Sequence, residues 1–200
     1  EDDKSDLQTC LTTYDTASNR FDKLFQMQTM TNSRPQPHEH GSYYLTYISK
    51  VPDGDIVQTL SQGKASTLAF LKSLPEEKWS HRYAPGKWSI KELVQHLLDA
   101  ERIFAYRALR VARHDRTPLP SFDENAFTPA SQADLRSPAS LIAEYEAVRE
   151  ATVQLFLSLP EDGWKQIGIA SENPISPLAA AWIIAGHEIH HLGVIRERYL

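Results

Sequence analysis

The stretch that most constrains this chain lies close to its C-terminus. Residues 177–199 carry the run Leu178-Ala179-Ala180-Ala181-Trp182-Ile183-Ile184-Ala185, then Gly186-His187-Glu188-Ile189-His190-His191. Ser176 is an N-cap residue, and Pro177 suits the first helical position, where a missing N–H costs nothing. The apolar run predicts a helix buried on most of its sides. Any fold built around that helix must accommodate three imidazoles at its end. His187 and His191 are four residues apart, so they project from one face about a turn apart. Two imidazoles so placed can hold one metal ion, which then needs at least one more ligand. A lone core histidine would be read as a satisfied packing residue; a pair with a third beside it favours a metal. A His187/His190 pair also fits the spacing. We favour His187 with His191 and place His190 beside the site or at the surface.

The same letters match H-E-x-x-H, the zinc-peptidase helix whose glutamate is the general base. The peptidase reading is disfavoured. Such sites commonly take their third ligand from downstream, and only nine residues follow His191, none of them histidine. Glu197 is the only downstream acid. The third ligand is therefore expected upstream.

Two hundred residues suit one domain with a proper core. The net charge of −5 gives no basic field for nucleic acid, so we expect no nucleic-acid partner. No apolar run is expected to approach spanning length, hence no membrane. The single cysteine, Cys10, excludes an intramolecular disulfide and a cysteine-based zinc site, and suggests a cytoplasmic setting. Residues 1–29 are polar, with six acids against three bases, and lack the pattern of a secretory signal. We expect them to be a disordered or appended tail, with Met30 as the natural start. A short helix near Phe21 to Met27 is the alternative. The domain proper is expected over 30–200.

After the tail comes an irregular arm, Arg34-Pro35-Gln36-Pro37-His38-Glu39-His40-Gly41. His38 and His40 are expected to be exposed or packed on a neighbour rather than to bind metal. Residues 43–48, rich in tyrosine, are expected as an extended segment lying over the bundle. Asp53 or Asp55 can cap the first long helix, expected over 56–74. Ser89-Ile90-Lys91-Glu92 is a capping box that opens a second helix, expected to reach residue 113. Its apolar stripe of Leu93, Leu97, Ile103 and Phe104 is interrupted by His96. Arg107, Arg110 and Arg113 share another face, read as solvated, with Arg107 as the candidate exception that could clamp an anion. Residues 115–137 form a long loop with three prolines, expected to wall the site. Ser137-Pro138 starts a third helix, expected to end at residue 159.

A weak repeat then appears. Leu159-Pro160-Glu161-Asp162-Gly163-Trp164 echoes Leu74-Pro75-Glu76-Glu77-Lys78-Trp79. Each half runs helix, tryptophan turn, loop, serine cap and histidine-bearing helix. His96 follows its cap by seven residues and His187 follows its own by eleven, one turn further on the same face. If the second and fourth helices lie side by side, His96 faces His187 and His191. A metal held by side chains of facing helices is an ordinary bundle site. His81 and His114 are expected to be structural or exposed.

With these residues assembled, the chain resembles the DinB superfamily of DinB/YfiT-like metalloenzymes. The matching stretches are residues 88–101, Trp88-Ser89-Ile90-Lys91-Glu92 through His96 to Glu101, and Gly186-His187-Glu188-Ile189-His190-His191. The resemblance covers about residues 56–200. It implies an all-α four-helix bundle with an irregular N-terminal arm, and a three-histidine site whose ligands fall on His96, His187 and His191. It also implies activities like those of thiol transferases using bacillithiol, mycothiol or glutathione, or of thiol-dependent isomerases. No residue singles out one thiol.

Three neutral imidazoles leave a fourth position for water or substrate, the arrangement of a catalytic zinc. We expect a metal-dependent S-transferase or hydrolase acting on a small molecule, with a metal-bound thiolate or hydroxide as nucleophile. Zinc is the favoured divalent metal, with nickel or iron allowed, and a low-molecular-weight thiol as an optional second cofactor. Catalytic residues are unassigned; Glu92, Arg107 and Glu188 are the candidates. Asp99 and Glu101 could orient a ligand imidazole. The alternative is a non-catalytic, metal-binding stress or damage-associated bundle, and a homodimer is compatible with exposed apolar helix faces.

Overall fold

The computed structural model describes residues 31–200, so the expectations for the tail, Met30 and Cys10 lie outside the described residues. The helices are α1 (Leu45–Ile48), α2 (Ile56–Ser73), α3 (Ile90–Ala112), α4 (Glu124–Ala130), α5 (Pro138–Leu157), α6 (Glu161–Trp164) and α7 (Pro177–Arg198). A two-stranded antiparallel hairpin, β1 (Gly168–Ala170) and β2 (Asn173–Ile175), precedes α7.

The four long helices start where their caps dictate. Asp55 accepts from the amides of Val57 and Gln58. Ser89 and Glu92 close a reciprocal box at 3.1 and 2.8 Å. Ser137 and Ser176 accept from the amides of Ser140 and Ala179. These caps satisfy amides that have no partner inside the helix.

The bundle's neighbours are not those of its sequence halves. α2 packs on α5 and α7, and α3 packs on α5 and α7. α2 thus sits across the ring from α3, and α5 from α7, and the long connections after α2 and α5 give them room to do so. The two histidine-bearing helices α3 and α7 end up adjacent. The paired turns close the ends of the bundle through Trp79 and Trp164, both fully buried.

α7 is the axis of the core. Every residue from Pro177 to Glu188 is buried. By length and composition it would pass for a membrane span, which corrects the expectation that no run approaches that length; most of it is covered by the protein itself.

Three other expectations need correction. Residues 43–48 are helical, a 3-10 turn at Ser42–Tyr44 running into α1. Packing on α7 overrides the strand preference of their aromatic and β-branched residues. The long loop contains α4, capped by Asp123. The hairpin was not expected either. Its turn is Ser171-Glu172, both at positive φ (50° and 63°). A two-residue turn of this kind usually carries Asn-Gly.

Candidate metal centre

His96 on α3 and His187 and His191 on α7 converge. Nε2 of His187 lies 3.0 Å from Nε2 of His96 and 3.0 Å from Nε2 of His191. All three donor atoms fall within 4.8 Å of one another. The i, i+4 spacing brings His187 and His191 together, and the α3/α7 contact supplies His96. Three nitrogens bound to one zinc at 2.0–2.1 Å in tetrahedral array stand about 3.3 Å apart. The two spacings at His187 are close to that.

Hydrogen bonding alone serves this cluster badly. Nε2 of a neutral imidazole either donates once or accepts through one lone pair. His187 Nε2 therefore has two neighbours and capacity for one good bond. Nδ1 of His191 is buried without a partner. Burial holds all three imidazoles in the neutral form, lowering His96 to about 4 and His191 to about 3, with His187 also well below its ordinary value. Neighbouring imidazoles add to the effect at His187 and His191. Three neutral lone pairs directed at one point are the donor set of a borderline-soft divalent cation.

The surroundings are aromatic. Trp88 packs on His96 at 4.9 Å between ring centroids. Tyr47 of α1 stands edge-on to His187 at 5.1 Å. Burial pushes the Tyr47 phenol above its ordinary range, and its hydroxyl lies 3.0 Å from that of Tyr43. The approach of α1 depends on Gly186: a Cβ there would stand 2.1 Å from the Tyr47 carbonyl oxygen. Glu124, at the start of α4, is exposed, and its charge favours protonation of His96 and of Tyr47. Tyr47 and Glu124 were not singled out from sequence, although both segments were expected to lie over or wall the site.

Other candidates are committed elsewhere. Glu92 caps α3 and pairs with Arg82. Glu188 faces away from the trio. Its oxygens accept from Arg149 and from the Tyr145 hydroxyl at 2.6 Å. A glutamate so bound is not free to act as the base of a peptidase. Arg107 is buried but clamps no open site; it donates to the Pro120 carbonyl and to Ser171 Oγ, both at 2.8 Å, and so fixes the strained hairpin turn to the loop. Asp99 accepts from Gln95, and Glu101 pairs with Arg149, so neither orients a trio imidazole. His190 is half-buried beside Tyr47 and outside the cluster. His40 bonds the Gly41 carbonyl, and His114 meets Asp162.

Comparison with known proteins agrees with this architecture. A protein of Oceanobacillus iheyensis, named provisionally as a metal-dependent hydrolase, is 32% identical over 158 residues, covering 76% of this chain and 90% of its own. YfiT from Bacillus subtilis, described as a probable metal-dependent hydrolase with an unusual four-helix bundle topology, superposes with a TM-score of 0.63 at 16% identity. The match covers 86% of this chain and 94% of YfiT. A mycothiol-dependent maleylpyruvate isomerase shares the fold at a TM-score of 0.59 and 13% identity, over 72% of this chain and 61% of its own. Residues 59–195 match the DinB superfamily, and with well over half of its length accounted for in this way the chain belongs to that family.

Proposed function

We propose that this protein is a metal-dependent hydrolase of small molecules in which His96, His187 and His191 hold one divalent ion, zinc by preference. The observation that carries the reading is the convergence of three neutral Nε2 atoms on one point, without hydrogen-bond partners sufficient to satisfy them. The hydrolase named in the Oceanobacillus relative supports it. Bound there, such an ion supplies Lewis acidity and favours the ionised form of a water or thiol near pH 7.

The chain's own residues supply the rest. Tyr47 and Trp88 flank the imidazoles and keep bulk water from two sides. Glu124, exposed at the start of α4, is a carboxylate whose charge acts on both His96 and Tyr47. Glu188 and Arg149 hold α7 from behind. A thiol-dependent transfer is the second reading. The fold shared with a mycothiol-dependent isomerase favours it, and it would use the same three histidines.

Elemental analysis of untagged protein tests the proposal, with wild type beside His96→Ala and His187→Ala. About one equivalent of divalent metal in wild type, lost from both variants, is the expected result. Metal retained in His96→Ala would move the site off the α3/α7 contact. No metal in wild type after reconstitution would remove the catalytic reading.

A further inference from the structure

A pocket of about 370 Å³ opens beside His191, between the end of α7 and the loop before α3. Its wall includes Tyr83, Trp88 and Asn125, and it carries two cations, Lys87 and Arg198. No carboxylate lines it.

The charge on that wall is of one sign. Arg34, Arg82, Arg102, Arg110, Arg136 and Arg149 are all paired with carboxylates. Lys87 and Arg198 are among the cations with no ion pair in the described residues, and both stand on this one wall. Arg198 is held by an aromatic partner instead. Its guanidinium lies over the Tyr83 ring, 5.4 Å from the centroid, and donates to the Tyr83 hydroxyl at 3.3 Å. The loop bearing Lys87 is fixed as well. Arg82 donates to the Lys87 carbonyl at 2.8 Å and is anchored by Glu92 and Asp134. Two unneutralised cations on a pre-fixed, partly aromatic wall suit an anion. Glu124 does not line the pocket, so its charge does not compete directly at that wall.

We propose that this pocket binds the carboxylate end of a small ligand whose reacting end reaches the histidine cluster. The inference deepens the metal-dependent reading of the same site and rests on it. It assigns the substrate class: a small carboxylic acid, its carboxylate against Lys87 and Arg198 and its flat or apolar body against Trp88 and Tyr83.

The test uses cobalt-loaded protein and thiols of similar size and different charge. Sulfur-to-cobalt absorption follows the binding of 3-mercaptopropionate, 2-mercaptoethanol and cysteamine. The anionic thiol is expected to bind about tenfold more tightly than the neutral one, with the cationic thiol weakest. In Lys87→Gln/Arg198→Gln the preference should vanish while 2-mercaptoethanol binds as before. Arg198→Lys should retain part of it. No charge preference in wild type, or the same preference in the double variant, overturns the proposal. If cobalt does not bind at all, the metal reading falls by itself. The pocket is then judged on metal-free protein, where succinate should perturb the fluorescence of Trp88 in wild type and not in the double variant. No succinate response specific to wild type would overturn it there.

Discussion

Two clusters of buried polar groups sit back to back on α7, and they solve the problem of burial in opposite ways. On one side, Arg149 donates to Glu101 at 2.8 and 2.9 Å and to Glu188 at 2.9 and 3.2 Å, while Tyr145 donates to Glu188. Every partner lies within the protein, and four helices contribute, since Arg149 also reaches the Leu60 carbonyl. On the other side, three imidazoles meet at Nε2 with fewer good hydrogen bonds than their ring nitrogens can make, beside a pocket. A closed network of charges specifies packing. An incomplete set of neutral donors is where a further partner fits. The adjacent residues His187 and Glu188 belong to different clusters because they point in different directions around the helix.

Breaking the closed cluster should have the largest effect. Arg149→Met leaves two buried carboxylates without their cation, and truncating one side of a buried pair costs about 3–5 kcal/mol. Urea unfolding should show that loss in full with metal present or chelated. A loss under about 1 kcal/mol would mean that water reaches the pair.

Acid should act on the open cluster instead. In metal-free protein the trio stays neutral well below the pH at which unfolded histidines protonate, about 6.5. Between about pH 6.5 and 4 the unfolded chain therefore binds more protons, so stability is present above 6.5 and falls as pH drops. His96 alone contributes a loss on the order of 3 kcal/mol, and His191 and His187, held lower still, add to it. A pH series of urea midpoints measures it. His96→Gln/His191→Gln should flatten the profile, and an unchanged profile would assign the loss to the carboxylates.

Metal should reinforce the open cluster alone. At a hundredfold excess over the dissociation constant, a ligand of the folded state adds about 2.7 kcal/mol. Thermal melts of loaded and chelated protein should differ accordingly in wild type and in Glu124→Gln, and coincide in His96→Ala.

The open cluster was far more legible in the sequence than the closed one. The caps are local signals, and each serine or aspartate reports its own helix start. The spacing of His187 and His191 is a property of one helix, and the repeat supplied His96. Arg149, Glu101 and Glu188 carry no such mark, because their meeting depends on which helices become neighbours, and the ring order does not follow the chain. The hairpin was hidden for a different reason. Ser171 and Glu172 adopt left-handed backbone at a cost of roughly 1–2 kcal/mol each, so the turn exists by virtue of contacts that hold it. The Arg107 bond to Ser171 is one of them. The helical form of α1, too, is set by the surface on which it lies.

That surface gives the smallest and most local test. α1 reaches the histidine cluster because Gly186 lets the Tyr47 backbone approach α7. Gly186 has ordinary helical surroundings, so alanine should help the helix by about 1 kcal/mol if it were free. Here the added methyl would overlap Tyr47 carbonyl carbon and oxygen at 2.5 and 2.1 Å, backbone atoms that cannot rotate away. Overpacking of this kind costs about 1–3 kcal/mol, so Gly186→Ala should be net destabilising by about 1 kcal/mol. Of the bundle helices only α7 takes part in the clash, and circular dichroism should show all four intact. What should change is the cover over His187: Tyr47 moves off the imidazole, and the cluster opens to water on that side. Faster exchange of the bound metal into a chelator, at unchanged stoichiometry, is the expected sign. An unchanged exchange rate would mean that Tyr47 packs on the site without guarding it.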